Sequence, residues 1–428
     1  MRKLLVYIEI NGVQNYVGDI CGDSYLDATF RYSREYLDNP ASAPISISLP
    51  LREEEFDVIH TRNFFEGLLP EGFTRRTVAE FLKVGERDYI SILANLGQEC
   101  LGAVKVVEDL SGFHPASYEK LSLSQVQEIA REGVTQSVKL VTEAHLSLTG
   151  ASGKVGLYFD SDSGAWFLPV GEAPSTHIVK QSHVRLNKLV VNERLSLLTA
   201  SKLGIEIPES FIINTGKGND EDVLFASRRY DRVFSKDQGK VDGLELPLRL
   251  HQEDFAQALG IFAGDKYETT GKNYMLSMFN LLKNYAATPI EEQLKLWDMI
   301  VCNFLLGNTD AHIKNFSLLY GENLKTIKLA PAYDMISTVV YAESTKNMAF
   351  KIGGEFRLDK ITRESFAKAA GECRISESIA LKHFDDMYRN FEEALKEAAD
   401  ELCDQGFSDV MEIRDKILLH GGYAGIRG

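Results

Sequence analysis

A change of hydrophobic period partway along the chain sets the tightest limit on its fold. From His145 to about Tyr230, apolar residues come in short β-type runs (LSL, VGLYF, WFLPV, THIVK, SFIIN, VLFASRRY) broken by one helical stretch, Asn192 to Leu203. From about Glu253 onward the period becomes helical, most clearly in Met275 to Tyr285, Ile290 to Leu306 and Ile379 to Leu402. A small sheet-based lobe (145–250) followed by a helical lobe (251–428) is predicted.

At 428 residues the chain exceeds one ordinary core, since single cores stop growing near about 250–300 residues. The opening alternation Leu4, Val6, Ile8, Ile10 meets the turn pair Asn11-Gly12 and reads as a β-hairpin. Pro40, Pro44 and Pro50 bracket the short alternating stretch Ile45 to Leu49, and Thr61 to Leu82 is helical with an interruption near Pro70-Glu71-Gly72. Residues 1–108 are therefore predicted to form a mixed α/β domain, and 109–144 a linker with a helix at Leu121 to Arg131. The fold class is α+β.

No apolar run approaches the roughly 18–20 residues of a membrane span, and the N-terminus lacks a signal-peptide pattern, so a soluble cytoplasmic protein is expected. The five cysteines are scattered and form no CxxC pair, which points to reduced thiols rather than a zinc site or disulfide framework. A net charge of −15 disfavours nonspecific nucleic-acid binding and suits a basic protein partner.

The segment LLGNTDAHIKNFSLLY carries the densest chemistry. Asp310 is followed by Asn315 with the D-x-x-x-x-N spacing of kinases, in which the Asp orients and deprotonates a substrate hydroxyl and the Asn reaches a Mg²⁺ on the nucleotide phosphates. Downstream, LAPAYDMIST places Asp334 at the end of an expected strand, where a second metal-binding acid belongs. Upstream, SLTGASGKVGLYF offers Gly150 and Gly153 before a strand, a loop able to bring backbone N–H groups to phosphates, though not a Walker A loop. Lys180 closes the run Thr176 to Lys180 as a phosphate-contacting strand lysine would, and Glu193 begins the next helix, placed to pair with it. Each element alone has a plainer reading: a helix-stopping Asx turn, a turn acid, a hairpin, a solvated lysine. Their order along the chain points to a kinase. A catalytically silent kinase-like corepressor, and a metal-dependent phosphohydrolase using Asp310, His312 and Asp334, remain as alternatives.

The sequence resembles the HipA family, the kinase toxins of bacterial HipBA toxin-antitoxin modules, nearly end to end. The resemblance rests on PISISLPL, RNFFEGLLPEG, LGAVKV, SLTGASGK, THIVK, the RRYDR segment, RLHQEDFAQALG, GNTDAHIKNFSLL and APAYDMIS. It implies that Asp310 is the catalytic base, that Asn315 and Asp334 hold Mg²⁺, and that Ser147 is autophosphorylated. ATP binding would fall to Gly150, Ala151, Ser152, Gly153, Lys154, Lys180, His312, Lys314 and Tyr333, with Arg229 and Tyr230 along the adenine. Two departures from the family's usual pattern stand out: Ser152-Gly153 stands where Gln-Glu is common, and Arg228 where an acid is seen. The implied cofactors are ATP and Mg²⁺. The implied partners are a HipB-like helix-turn-helix antitoxin, through which DNA is met indirectly, and a substrate protein such as an aminoacyl-tRNA synthetase, glutamyl-tRNA synthetase in the best-known member.

Overall fold

The Asn11-Gly12 pair takes positive φ at both positions, 50° and 77°, which a two-residue hairpin turn with the twist of its strands requires. In this computed structural model, which describes residues 2–109, 115–132, 153–182, 186–235 and 238–427, the turn joins β1 (Arg2–Ile10) to β2 (Val13–Gly22). Adding β3 (Thr29–Tyr32) and β4 (Val104–Val107) gives an antiparallel sheet in the order β3-β2-β1-β4. The alternating Leu4, Val6 and Ile8 are its buried face. Gly18 is dictated by close approach, because a Cβ there would lie 2.0 Å from the Arg31 carbonyl oxygen.

Helices Val58–Phe65, Gly72–Leu82 and Tyr89–Leu96 accompany this sheet. Asp57 caps the first by accepting from the His60 N–H, and the chain leaves helical geometry between Leu69 and Glu71, at the predicted interruption. Ile45 to Leu49 forms only an isolated bridge, Ser46 with Leu49. Its anchor is instead Glu253, whose buried carboxylate accepts from Ser46 Oγ at 2.5 Å, from Ile47 N at 3.1 Å and from the Tyr320 hydroxyl.

The second sheet has the order β5-β7-β6-β8-β10-β9, from β5 (Ser117–Lys120), β6 (Lys154–Asp160), β7 (Ala165–Val170), β8 (His177–Gln181), β9 (Ser210–Asn214) and β10 (Val223–Arg228). β5 falls in the stretch predicted as linker. It is short and polar, and only its pairing with β7 makes it a strand. The predicted helix after it runs Leu123–Glu132.

The chain groups into two units: Met1–Val184, Ile213–Ala263 and Leu318–Ile327 form the first, and Arg185–Ile212, Gly264–Ser317 and Lys328–Gly428 the second. This division differs from a cut at residue 250. The helix Leu189–Lys202 packs against the long helix Glu377–Asp404 and so belongs with the C-terminal residues. The second unit also contains helices Tyr274–Tyr285, Pro289–Leu306, Arg363–Glu372, Val410–His420 and Gly422–Arg427. Trp297 is fully buried, meets Phe279 and Phe366 edge-on and donates to the Ala380 carbonyl at 3.0 Å, while Phe366 continues the aromatic core to Phe304 and Phe384. Among the described residues no helix is long and apolar enough to cross a membrane.

Candidate active site

In the second unit, the apolar helix Pro289–Leu306 stops at Gly307, which has φ 72°. A Cβ at that position would approach Val339 to 2.7 Å. Beyond it, residues 308–316 form a loop that is pinned at nearly every step. Asn308 Nδ2 donates to Asn303 Oδ1 at 2.7 Å, and its own Oδ1 accepts from the Asp310 N–H at 3.2 Å. The Asp310 carbonyl accepts from the His312 N–H at 2.7 Å and from Asn315 Nδ2 at 3.1 Å. Asn308, Thr309 and His312 are buried while Asp310 is exposed, so the loop presents one carboxylate from a rigid base. Asp310 and Asn315 are thereby brought together.

The segment 330–339 lies along this loop, bonded to it from end to end. The Ala330 N–H donates to the Ser317 carbonyl at 2.8 Å, Tyr333 Oη bonds Lys314 O at 2.9 Å and Ser317 Oγ at 2.6 Å, and Ser337 Oγ donates to Leu306 O at 2.7 Å. Thr309 N donates to Thr338 Oγ1 at 2.9 Å. Asp334 sits between the Tyr333 and Ser337 tethers with φ 54°, a left-handed conformation that a non-glycine residue keeps only where its surroundings impose it. The expectation that Asp334 closes a strand is corrected. The strand Ile327–Leu329 ends before Pro331, which has no N–H to continue a ladder. The oxygen donors offered here, the Asp334 carboxylate and the Asn315 carboxamide, are the hard set that Mg²⁺ takes. The Asn315 amide is oriented by its donation to the Asp310 carbonyl, which turns its oxygen the other way.

From the helix Leu189–Lys202, Asn192 makes a reciprocal pair with the Ser337 backbone, donating to its carbonyl at 2.8 Å and accepting from its N–H at 3.1 Å. The neighbouring Glu193 is buried and lies in the second turn of that helix, not at its start as expected, because the helix begins at Leu189 after Lys188 turns through φ 61°. Asn192, Ser317, Ser337 and Tyr267 escape sequence reasoning, since their partners are far along the chain and no spacing announces them. The Tyr267 hydroxyl donates to Asp310 Oδ1 at 2.5 Å, and its ring meets His312 edge-on at 5.3 Å between centroids.

The first unit contributes a different feature. Antiparallel register sets Lys154 on β6 opposite Lys180 on β8, and Lys180 opposite Phe225 on β10. Residues opposite one another share a sheet face, so two lysines stand side by side, with the Lys180 ammonium 5.6 Å from the centre of the Phe225 ring. Gly153, just before β6, is buried. Ser147, Gly150, Ala151 and Ser152 lie outside the described residues.

The expected placing of Arg229 along an adenine is not one its side chain can serve. Its guanidinium is fully buried and bound to Asp231 Oδ2 at 2.8 Å, Glu99 Oε1 at 3.0 Å and Ser175 Oγ at 2.9 Å. Arg232 and Arg249 also reach Glu99, at 2.9 and 2.8 Å. Burial by itself would push the Glu99 carboxyl up, yet Arg232, Arg249 and Arg229 together outweigh it and hold it well below the usual carboxylate range. Arg229 thus ties the segment after β10 to the N-terminal domain. The Tyr230 hydroxyl bonds Gln252 and its ring is part-buried, while Arg228 is exposed with its guanidinium 6.0 Å from the Phe234 ring.

Residues 9–107 match the HipA N-terminal domain family and residues 146–395 the HipA-like C-terminal domain family. Y4mE of Sinorhizobium fredii is 30% identical over 397 residues, 91% of this chain and 90% of its own. The serine/threonine-protein kinase toxin HipA of Shewanella oneidensis is 25% identical over 414 residues, covering 90% of this chain and 88% of that protein. A solved Shewanella oneidensis complex of HipA, HipB and operator DNA matches with a TM-score of 0.78 at 20% identity, over 99% of this chain and 97% of that one. That likeness shows the fold: α+β, with an N-terminal domain and a kinase-like domain whose C-terminal region is helical.

Proposed function

Because the chain belongs to the HipA family, we propose that it is a serine/threonine-protein kinase toxin that uses ATP and Mg²⁺. The observation that carries this reading is the bonding of the 330–339 segment along the 308–316 loop, which gathers the acids and amide a kinase needs within one rigid element. Asp310 orients the serine hydroxyl and accepts its proton as the γ-phosphoryl is transferred. Asn315 and Asp334 hold Mg²⁺, which supplies neutralising charge to the nucleotide phosphates. Lys154 and Lys180 bind phosphate oxygens, and Asp310 faces solvent from its loop. Tyr230, His312, Lys314 and Tyr333 border the nucleotide, while Arg229 acts through the fold rather than by contact. Ser147 is the autophosphorylation site. The substrate is a serine of a bacterial protein, an aminoacyl-tRNA synthetase by analogy. The toxin named HipA that this chain resembles, and the HipA, HipB and DNA complex it matches in fold, support a HipB-like antitoxin as partner. The net charge of −15 suits such a basic DNA-binding protein.

The test is incubation of the purified protein with γ-labelled ATP and a bacterial lysate beside Asp310→Ala. A labelled protein present only with the wild type supports the kinase; label retained by Asp310→Ala removes Asp310 as base.

A further inference from the structure

Asp310 is not an empty carboxylate waiting for a substrate. One of its oxygens, Oδ1, already receives a hydroxyl, that of Tyr267, at 2.5 Å. A hydroxyl donating to a carboxylate oxygen is the kind of bond a serine makes with a general base. Tyr267 is not needed to fix the loop, because the Asp310 backbone is already held by Asn308, His312 and Asn315. The phenol therefore occupies the base more than it supports it.

The setting of Tyr267 allows departure. The residue is 44% exposed, and the segment around it has only the 3-10 turn Ala263–Asp265 as regular structure before the helix Tyr274–Tyr285. The next residue is firmly anchored: the Glu268 N–H donates to the Ala349 carbonyl at 2.8 Å, and the Glu268 carboxylate accepts from the Tyr274 N–H at 2.8 Å and pairs with Lys351 at 3.3 Å. A side-chain rotation at 267 would thus break the Asp310 bond and the edge-on contact with His312 without disturbing the chain on its C-terminal side.

We propose that Tyr267 is the acceptor gate of this site: its hydroxyl takes the seat on Asp310 that the acceptor hydroxyl requires, and an acceptor must displace it. The inference rests on Asp310 being the base. Tyr267 acts through Asp310 and is a positioning residue. A protein acceptor with enough contacts can drive the ring aside, whereas water reaching the exposed Asp310 brings no contacts that displace the phenol from Oδ1.

The experiment uses water as the acceptor probe. Hydrolysis of Mg²⁺·ATP by the full chain, followed as ADP release, should rise roughly ten- to hundredfold in Tyr267→Phe, the worth of one displaced hydrogen bond to a charged group. The KM for ATP should not move, and the gain should vanish in Tyr267→Phe with Asp310→Ala. A fall in turnover would show that Tyr267 assists the base, and an unchanged rate would show that it occupies nothing the acceptor needs; either overturns the gate. A second readout is independent of turnover: nitration of Tyr267 by tetranitromethane, mapped by mass spectrometry, should be faster in Asp310→Ala than in wild type. Equal nitration would overturn the contact itself. If nitration differs but neither protein hydrolyses ATP, nor transfers phosphate to lysate protein, the kinase reading falls and takes the acceptor role with it.

Discussion

Asp310, the proposed base, stands exposed on a loop whose neighbours are buried, and its carboxylate accepts from the Tyr267 hydroxyl. Asp310→Ala removes the Tyr267 hydrogen bond and should cost no more than about 1–3 kcal/mol of unfolding free energy. Phosphoryl transfer should fall by about 10²–10⁴-fold, the usual contribution of a positioned general base. Urea melts and labelled-ATP assays measure the two separately. Lys180→Ala should raise the KM for ATP and lower kcat together, because phosphate contacts act in both the ground and transition states; an unchanged ATP dependence would exclude Lys180. Intact-mass analysis should find a phosphate on wild-type protein, mapped to Ser147, and none on Asp310→Ala. At this scale the sequence was informative where residues lie close along the chain, as for Asp310 and Asn315, which are bonded within one loop. It was silent on Tyr267, which meets Asp310 across 43 positions. It did not show that the Arg229 guanidinium is buried against Glu99 and Asp231.

The unit that positions chemistry is the helix, turn and loop running from Pro289 to Phe316, with the 330–339 segment bonded alongside. Gly307 governs where the helix ends. Gly307→Ala places a side chain at φ 72° and within 2.7 Å of Val339, so about 1–3 kcal/mol of strain is expected. Turnover should fall more than ATP affinity, because the displaced loop carries Asp310; denaturant melts and a kcat against KM comparison would show it. The helices were legible because packing on one face imposes a period: Ile290 to Leu306 is found as Pro289–Leu306 and Met275 to Tyr285 as Tyr274–Tyr285. Short strands were less so. Ser117–Lys120 is strand only through β7, and the strand before Asp334 is cut by Pro331, leaving the acid in a tethered coil.

Across the first unit, long-range electrostatics hold what local pattern cannot. Removing Arg229 would leave Glu99 and Asp231 buried with less countercharge, and Arg229→Leu should cost on the order of 3–5 kcal/mol in a urea melt. Glu253 gives a pH signature. Burial pushes its carboxyl up from 4.5 to about 7, even though Ser46, Tyr320 and Ile47 donate to it. The folded chain therefore keeps a proton that the unfolded chain loses near 4.5, and stability drops as pH climbs from there through about 7, then levels. The full effect is on the order of 3 kcal/mol, and Glu253→Gln should flatten the profile over that window.

By itself the sequence determined the α+β class, the hairpin at Asn11-Gly12, the long helices and the Asp310–Asn315 spacing, because each is local: a period, a turn chemistry or a fixed offset along one loop. Only the tertiary structure decided that Lys154 stands beside Lys180, that the helix Leu189–Lys202 belongs with the C-terminal helices, that the segment around Asp334 is held through Tyr333 and Ser337, and that Tyr267 bonds Asp310. These depend on strand register and on contacts between residues distant in the chain, which no window of sequence contains.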